Sequence, residues 1–579
     1  MKLKSTRLIR IEPLVLLLAF NISLWAGGTR MLFQPASLSI GPFPSNATTL
    51  TDTHQSTGVR VNLPSSSDYC DPTGSPSVCS NSALLNQLDG FSVNPRLMVC
   101  FSGPVDPATL QAGIHIAPLG SASAVSINQV VFDPSSNCAF AKPNQVLNQQ
   151  TRYLLTVTDA VHDSQEKKVK ADDAFKDCLH NSDAYCQALS EALKQQHASA
   201  GNIVGASLFT TMSATSWLER ARNFVDSTQL PVVLPAGLPF SFALSNLRTI
   251  TWIPAQSGLP PQDIPLSALP GVGTIAFGLF LSPNFLNPAD GTITTTATGA
   301  PISRTVPVPG IPLGFVPVSF HIFLPATAPP AGGFPVVIYG HGLGDNQFGA
   351  PTFIASTLAK KGFATIALEI TGHGYGAGSV VKLTDSHGAV HTVLTPGRGI
   401  LIPGNTQIGP ADGCIAPGAV AVRDCGRQSA VDLIALTDTI RRTLGLGLQV
   451  NPTRIYYVGQ SFGGTYGTLF QAVEPNVKAA VLSGAGGTSV DVARLALTGR
   501  PLAVEFLATV NSGLFNVPPA PDEPYFPDPY PPPLFNDNYP FRDVPPVVNQ
   551  VPGAMAIQAA FEAADWLGML GDPLAYAPH

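Results

Sequence analysis

Two kinds of hydrophobic pattern divide the chain. Between residues 83 and 215 the apolar runs are short. Leu97, Val99 and Phe101 alternate with Met98 and Cys100, and QVVFDPSSNCAF and TRYLLTVTDAVHD follow, each bounded by Asp, Pro, Ser or Asn. Short strands between turn clusters predict a small β-sandwich. ADDAFKDCLHNSDAYCQALSEALKQQ interrupts it with helix formers, a helical insertion, before GASLFTTMS resumes the β pattern. TSWLERARNFV reads as a linking helix and DSTQLPVVLPAGLPF as linker, so residues 216–246 are expected to connect two domains. Residues 29–82, rich in Ser, Thr, Pro and Asn, read as a loop-rich lead-in.

From residue 247 onward the pattern changes to buried strands alternating with helices. VSFHIFLP (Val318 to Pro325) is a strand, and FPVVIYGHGLGDN and FATIALEITGHG each begin as a buried strand. PTFIASTLAKKG is a helix with Gly362 just past its end, where a left-handed cap favours glycine. RQSAVDLIALTDTIRRTLG places Leu433, Leu436, Ile440 and Leu444 on one face and Asp432, Asp438, Arg441 and Arg442 elsewhere, an amphipathic helix. The strand RIYYVGQS, the helix FGGTYGTLFQAV and the strand VKAAVLSGAGG complete the run. Alternation of this kind specifies a mostly parallel sheet covered on both faces. The expected fold class is therefore an α/β domain over residues 247–579 preceded by a small all-β sandwich.

Composition narrows the function. Charged residues make up 12% of the 579 and hydrophobic ones 45%, with a mean hydropathy of +0.21, which suits large buried cores. Net charge is -6 and there is no Lys/Arg run, so nucleic acid is not an expected partner. The N-terminus carries Lys2, Lys4, Arg7 and Arg10, an apolar run from Leu14 to Trp25, then Ala26, Gly27 and Gly28, the pattern of a secretory signal peptide over residues 1–28. An uncleaved anchor is the alternative. The eight cysteines agree with export to a secreted, periplasmic or cell-surface location. They fall into four local pairs, Cys70/Cys79, Cys100/Cys138, Cys178/Cys186 and Cys414/Cys425, and nearest-neighbour disulfides are the simplest pairing. None has CxxC spacing, so no metal site is expected.

The chemistry concentrates in two glycine-rich turns. Gly459-Gln460-Ser461-Phe462-Gly463 lies between a buried strand and a helix. A sharp, strained turn there lifts a serine hydroxyl above the sheet edge, and the helix aims its free N–H groups at the same point. Ser461 is the candidate nucleophile. The second turn, GHGLGDN (Gly340 to Asn346), follows an earlier strand. Acyl transfer needs two N–H donors for the tetrahedral oxyanion. Phe462, after the nucleophile, and Leu343, after His341-Gly342, are the candidates. His341 itself reads better as a residue orienting the loop than as a base.

On IYGHGLGDN, RQSAVDL, YYVGQSFGGTYG and QLDGFSVNP the chain resembles the α/β-hydrolase superfamily, and within it large bacterial extracellular lipases and esterases with an N-terminal β domain. FSGPVDPATL with RYLLTVTDAV resembles bacterial Ig-like domains. The resemblance implies a serine carboxylic-ester hydrolase acting on a small-molecule or lipid ester through an acyl-serine intermediate. It implies no cofactor and allows transient contact with a membrane or lipid surface. It also implies an acid and then a histidine on loops beyond two further strands, and these are not evident. After VKAAVLSGAGG comes a Pro- and aromatic-rich insertion, residues 490–550, expected to act as a lid, with Phe515, Tyr525, Phe526, Phe535 and Phe541 lining an acyl cleft. Its alternative is a structural surface wrap. One further helix then leads to the last residue, so the hydrolase domain is expected to be incomplete at its C-terminus. Asp572 and His579 satisfy the order Ser–Asp–His but lie seven residues apart with no strand between them. Asp491, and the upstream His341 or His373, are the other substitutes, while His387 and His391 fall in a Ser/Thr-rich hairpin. The competing class is a truncated or degenerate hydrolase, inactive or acting as a surface binding module.

Overall fold

The computed structural model describes residues 28–64, 82–121, 123–196, 202–228, 240–255, 259–286, 292–293, 314–399, 419–443, 448–495 and 535–578. The expected signal segment, Cys70, Cys79, Cys414, Phe515, Tyr525, Phe526 and His579 lie outside them.

The alternating N-terminal runs form strands β1 (Leu97–Cys100), β2 (Ile114–Pro118), β3 (Ile127–Asp133), β4 (Cys138–Pro143), β5 (Arg152–Thr158) and β6 (Ile203–Thr210). One sheet has the order β3–β4–β1 and the other β6–β5–β2, all antiparallel. Their inward residues, among them Val99, Phe132, Ala141, Leu155 and Phe209, share one core. Cys100 and Cys138 lie directly opposite on β1 and β4 and form a disulfide. The interruption is two helices, α1 (Asp173–Cys178) and α2 (Ala184–Gln195), joined by the disulfide Cys178–Cys186 and capped by Asp172 and Asp183. Cys425 is disulfide-bonded as well, to a partner outside the described residues.

Two boundaries differ from the sequence expectation. The lead-in is part of the sandwich: Arg30–Met31 pairs with Lys170–Ala171, and Met31 and Val61 are fully buried. Residues 216–228, expected as linker, form α3 (Ser216–Thr228), packed by Trp217 edge-on against Phe285 at 5.2 Å. Three apolar residues on one face, Trp217, Leu218 and Val225, hold it in the core rather than leaving it free.

The second domain contains β7 (Phe240–Ala243), β8 (Leu247–Ile253), β9 (Gln262–Asp263), β10 (Val272–Pro283), β11 (Phe315–Pro325), β12 (Phe334–Gly340), α4 (Ala350–Ala359), β13 (Ala364–Leu368), β14 (Val380–Asp385), β15 (Val390–Leu394), α5 (Ala419–Arg442), β16 (Val450–Gln460), α6 (Phe462–Val473), β17 (Val477–Ser483) and α7 (Ser489–Leu495). Seven strands make one sheet in the order β7–β10–β11–β13–β12–β16–β17. The last four are mutually parallel. β12 and β13 are buried on both faces, as their continuous apolar sequences require. Strands β9–β8–β14–β15 form a smaller antiparallel sheet over a separate core. From β12 the chain steps to β13 on one side and returns to β16 on the other. The carboxyl ends of β12 and β16 therefore flank the crevice where open α/β sheets bind ligands.

The chain closes with β18 (Val547–Val548), α8 (Ala554–Gly568) and α9 (Pro573–Tyr576). β18 adds in parallel to the edge of β3, and Trp566 of α8 stacks on Phe91 at 5.3 Å and donates from Nε1 to Gly90 O at 3.1 Å. The sandwich and the α/β domain thus share one continuous core. Among the described residues no helix is long and apolar enough to cross a membrane.

Candidate functional site

Ser461 stands between β16 and α6 with φ 54° and ψ −120°, a backbone conformation that non-glycine residues rarely adopt. It costs on the order of 1–3 kcal/mol and persists only where the surroundings enforce it. They do so from both ends: Ser461 N–H donates to Ser483 O at 2.8 Å, and Ser461 O accepts from Gly464 N–H at 2.8 Å. Close approach of the turn to its neighbours demands glycine. A Cβ on Gly459 would lie 2.2 Å from Gly463 O, and one on Gly463 would lie 2.0 Å from Gly340 O. Two tyrosines brace the contact. Tyr457 OH donates to Gly463 O at 2.6 Å and Tyr466 OH to His341 O at 3.0 Å. Burial raises both phenols well above their usual range, so both remain donors.

The Gly340–Gly344 turn runs beside this elbow. A Cβ on Gly342 would be 3.4 Å from Ser461 Cβ, so Leu343 follows a residue in contact with the serine. Phe462 opens α6, where the first N–H groups have no acceptor within the helix. Neither Leu343 N–H nor Phe462 N–H bonds another described residue. Ser461 is exposed, and among the described residues nothing hydrogen-bonds its Oγ.

The candidate acids and bases stand elsewhere. His341 is fully buried, with Nδ1 3.1 Å from Gly342 O and Nε2 3.3 Å from Glu369 Oε1. Burial opposes charge on His341, but the Glu369 carboxylate outweighs it and the ring's pKa is raised. His373 is also buried. Its Nδ1 lies 2.9 Å from Thr371 O and its Nε2 accepts Gly344 N–H at 3.1 Å. Burial holds it down to about 3, so it stays neutral and can accept that bond. Both nitrogens of each ring are thus engaged with the loop and its surroundings. Asp491 forms an ion pair with Arg494 at 2.5 Å. Asp572 accepts Ser489 N–H at 2.6 Å and Leu574 N–H at 2.9 Å, joining the start of α7 to the start of α9. His391 pairs with Asp385 on the β14–β15 hairpin at 3.1 Å. None of these touches Ser461 among the described residues.

Of the insertion expected as a lid, the described residues are 490–495, in α7, and 535–550, which lie on the sandwich. Asn128 binds Asp543 at 3.0 Å, Gln129 binds Pro540 O at 3.1 Å, and Arg542 reaches Asn144 O at 2.9 Å. Phe535 packs on Phe561 of α8, and Phe541 faces solvent at 66% exposure. The open edge of β3 supplies the docking line, so this stretch fits the surface-wrap alternative.

Sequence reasoning missed Glu369. Its signal was present: a carboxylate at the end of the largely apolar, buried run ATIAL. The edge of the sheet beside the site is the other unexpected feature. β17 has β16 as its one described neighbour, and Val481 and Leu482 are 61% and 37% exposed.

Residues 73–176, which fall on the sandwich, match the family described as a bacterial Ig-like domain. No curated protein matches the chain. Among solved structures, it is similar to an acetyl xylan esterase from Paenibacillus sp. R4, at 17% identity and a TM-score of 0.26, covering 48% of this chain and 61% of that one. It is also similar to acetyl xylan esterase 1 from Thermoanaerobacterium sp. JW/SL YS485, at 14% identity and a TM-score of 0.28, covering 51% and 66%. A cold-adapted esterase from an Arctic intertidal metagenomic library matches at 17% identity and a TM-score of 0.19, covering 36% and 59%. In all three the match spans less than two thirds of the other protein.

Proposed function

We propose that this chain is a serine hydrolase of carboxylic esters, with Ser461 as nucleophile. The observation that carries the reading is the backbone of Ser461, held at φ 54° and ψ −120° at the carboxyl end of a parallel strand, beside a second glycine turn at the switch point of the sheet. Ser461 Oγ would attack the acyl carbon while a base takes its proton. The oxyanion would be received by the N–H groups of Leu343 and Phe462. The ester C–O bond then breaks, the alcohol leaves with the proton, and water hydrolyses the acyl-serine. Serine at its own pKa is a weak nucleophile, so a base is required; no described residue hydrogen-bonds Ser461 Oγ. No step needs a metal or cofactor. Two disulfides and the bacterial Ig-like match suggest an extracellular or surface location.

A fluorophosphonate probe tests the reading. Native protein should be labelled once, and Ser461→Ala should not be labelled. Unlabelled native protein would favour the second reading, an inactive hydrolase serving as a surface binding module. The observation behind that alternative is the lack of any described hydrogen bond to Ser461 Oγ.

A further inference from the structure

The loop that bears Leu343 is gripped by buried side chains on both sides of that residue. On one side His341 Nδ1 lies 3.1 Å from Gly342 O, and Glu369 Oε1 lies 3.3 Å from His341 Nε2. On the other side His373 Nε2 accepts Gly344 N–H at 3.1 Å. Glu369 also reaches further along the turn, where its Oε2 accepts Gln347 N–H at 3.3 Å. His341 and His373 are 0% exposed and Glu369 1%, so none meets a substrate directly.

Peptide geometry gives these contacts a direction. Gly342 C=O and Leu343 N–H belong to one planar trans peptide unit, in which carbonyl and amide point opposite ways. A proton on His341 Nδ1 that holds Gly342 O therefore also aims the Leu343 N–H away from the histidine. The next peptide unit contains Leu343 C=O and Gly344 N–H, and His373 fixes it in the same manner. Both peptide planes around Leu343 are set by imidazole rings. A buried Glu–His pair is a poor source of net stability, because desolvation offsets its attraction. Glu369 Oε1 moreover makes the contact without hydrogen-bond geometry. The pair is well suited, though, to keeping His341 protonated on both nitrogens, so that Nε2–H faces Glu369 and Nδ1–H faces Gly342 O.

We infer that His341, oriented by Glu369, and His373 are positioning residues that aim the Leu343 N–H at the oxyanion. The inference rests on the hydrolase reading and assigns a task to three groups which that reading leaves unused. Asn at position 341 can present an amide N–H close to where Nδ1 stands, whereas Leu cannot. His341→Leu should therefore lower kcat about 10²-fold, the loss typical of one oxyanion donor, with KM changed by less than about threefold. His341→Asn should restore most of kcat. Glu369→Gln should fall between them.

The second readout does not depend on activity. In full-length protein with ¹⁵N-leucine, the Leu343 amide should give one sharp resonance in native protein and His341→Asn, and a broadened or multiple one in His341→Leu. An unchanged Leu343 resonance in folded His341→Leu overturns the inference, as does loss of kcat that Asn does not restore. Native protein that neither hydrolyses p-nitrophenyl esters nor accepts the probe would refute the hydrolase reading alone. The Leu343 resonance would still decide the loop assignment.

Discussion

The contact between the two glycine turns gives the sharpest quantitative expectation, through Gly463→Ala. The added Cβ would lie 2.0 Å from Gly340 O, 2.5 Å from its carbonyl carbon and 3.0 Å from His341 O. All three are backbone atoms at the end of a central strand, so no flexible side chain can yield. Ordinary contact begins near 3.4 Å. The start of α6 and the end of β12 must then separate by roughly 1.4 Å, an overpacking that costs about 1–3 kcal/mol. The separation also strains the Tyr466 OH bond to His341 O, and an unsatisfied buried carbonyl costs about 1–3 kcal/mol. A loss of roughly 2–6 kcal/mol is expected. Misplacement of about 1 Å at a reacting group costs on the order of 10²-fold in rate, so fluorophosphonate labelling of Ser461 should slow by that factor. Urea unfolding followed by tryptophan fluorescence measures the first effect. The control is Gly568→Ala at the end of α8, where the residue is helical (φ −71°) and nothing lies within 4 Å of the new Cβ. Alanine there should be neutral or stabilising by up to about 1 kcal/mol. If Gly463→Ala unfolds at the same urea concentration as native protein, the account of the elbow is refuted.

Three further outcomes follow from other parts of the molecule. Burial pushes the Asp572 carboxyl up to about 6 from 3.8 despite its two accepted N–H bonds. Its contribution to stability is therefore greatest below pH 3.8, and about 3 kcal/mol is lost as pH rises through 6. Asp572→Asn should flatten the stability profile between pH 4 and 6, and an unaltered slope counts against this. Trp566→Ala removes the stack on Phe91 and the bond to Gly90 O. It should destabilise by about 3–5 kcal/mol and lower the temperature of one transition common to both domains in calorimetry. A transition shifted by under 1 kcal/mol would argue against a shared core. Finally, an open edge strand with exposed apolar residues is prone to pair with other chains. Val481→Lys on β17 should reduce concentration-dependent association in sedimentation velocity, and native protein that stays monodisperse at high concentration would contradict the expectation.

The parts of the site legible in the sequence are those fixed by local backbone geometry. Gly459, Ser461 and Gly463 are constrained by contacts within a few residues and by one strand-end neighbour, so a short motif between an apolar strand and a helix announced them. The acid and base of a triad are brought to a nucleophile by sheet topology alone. Asp572 and Asp491 looked like candidates by chain order, and the structure gives them partners in Ser489, Leu574 and Arg494. The role of His341 was partly visible, because a histidine inside a glycine turn has little to do except bind backbone. Its partner Glu369 lies 28 residues on, across the neighbouring strand.

The helix α5 shows why amphipathic pattern misled at the larger scale. Leu433, Leu436 and Ile440 are buried as a helical period predicts. Yet Asp432 and Asp438, expected off that face, are buried too, as are Arg423, Asp424, Arg427 and Gln428. The sheet covers one side of the helix, and α3, α6 and α8 cover the rest. Most of these polar groups bond one another or the backbone, while Arg427 leaves Nε and Nη2 without a hydrogen bond and stacks on Trp217. Asp432 accepts from Ser282 and Gln428 and pairs with Arg398, Asp424 accepts Ile293 N–H, and Arg427 lies 4.0 Å over Trp217. Single-helix periodicity reports how many faces are apolar, not how many are covered. The same reasoning explains the linker and the lid. Residues 216–228 read as a linking helix and 535–550 as part of a lid or wrap, but α3 packs on α5, and residues 535–550 dock on β3 and α8. α8, which covers α5, rests in turn on the sandwich through Trp566 and Phe91, so the two domains should not be separable without loss of the core that supports Ser461. Removing residues 28–215 should leave a chain that exposes Trp566 to solvent, binds a hydrophobic dye and unfolds without a cooperative transition. A truncated chain with a sharp melt and native fluorophosphonate labelling would refute that dependence.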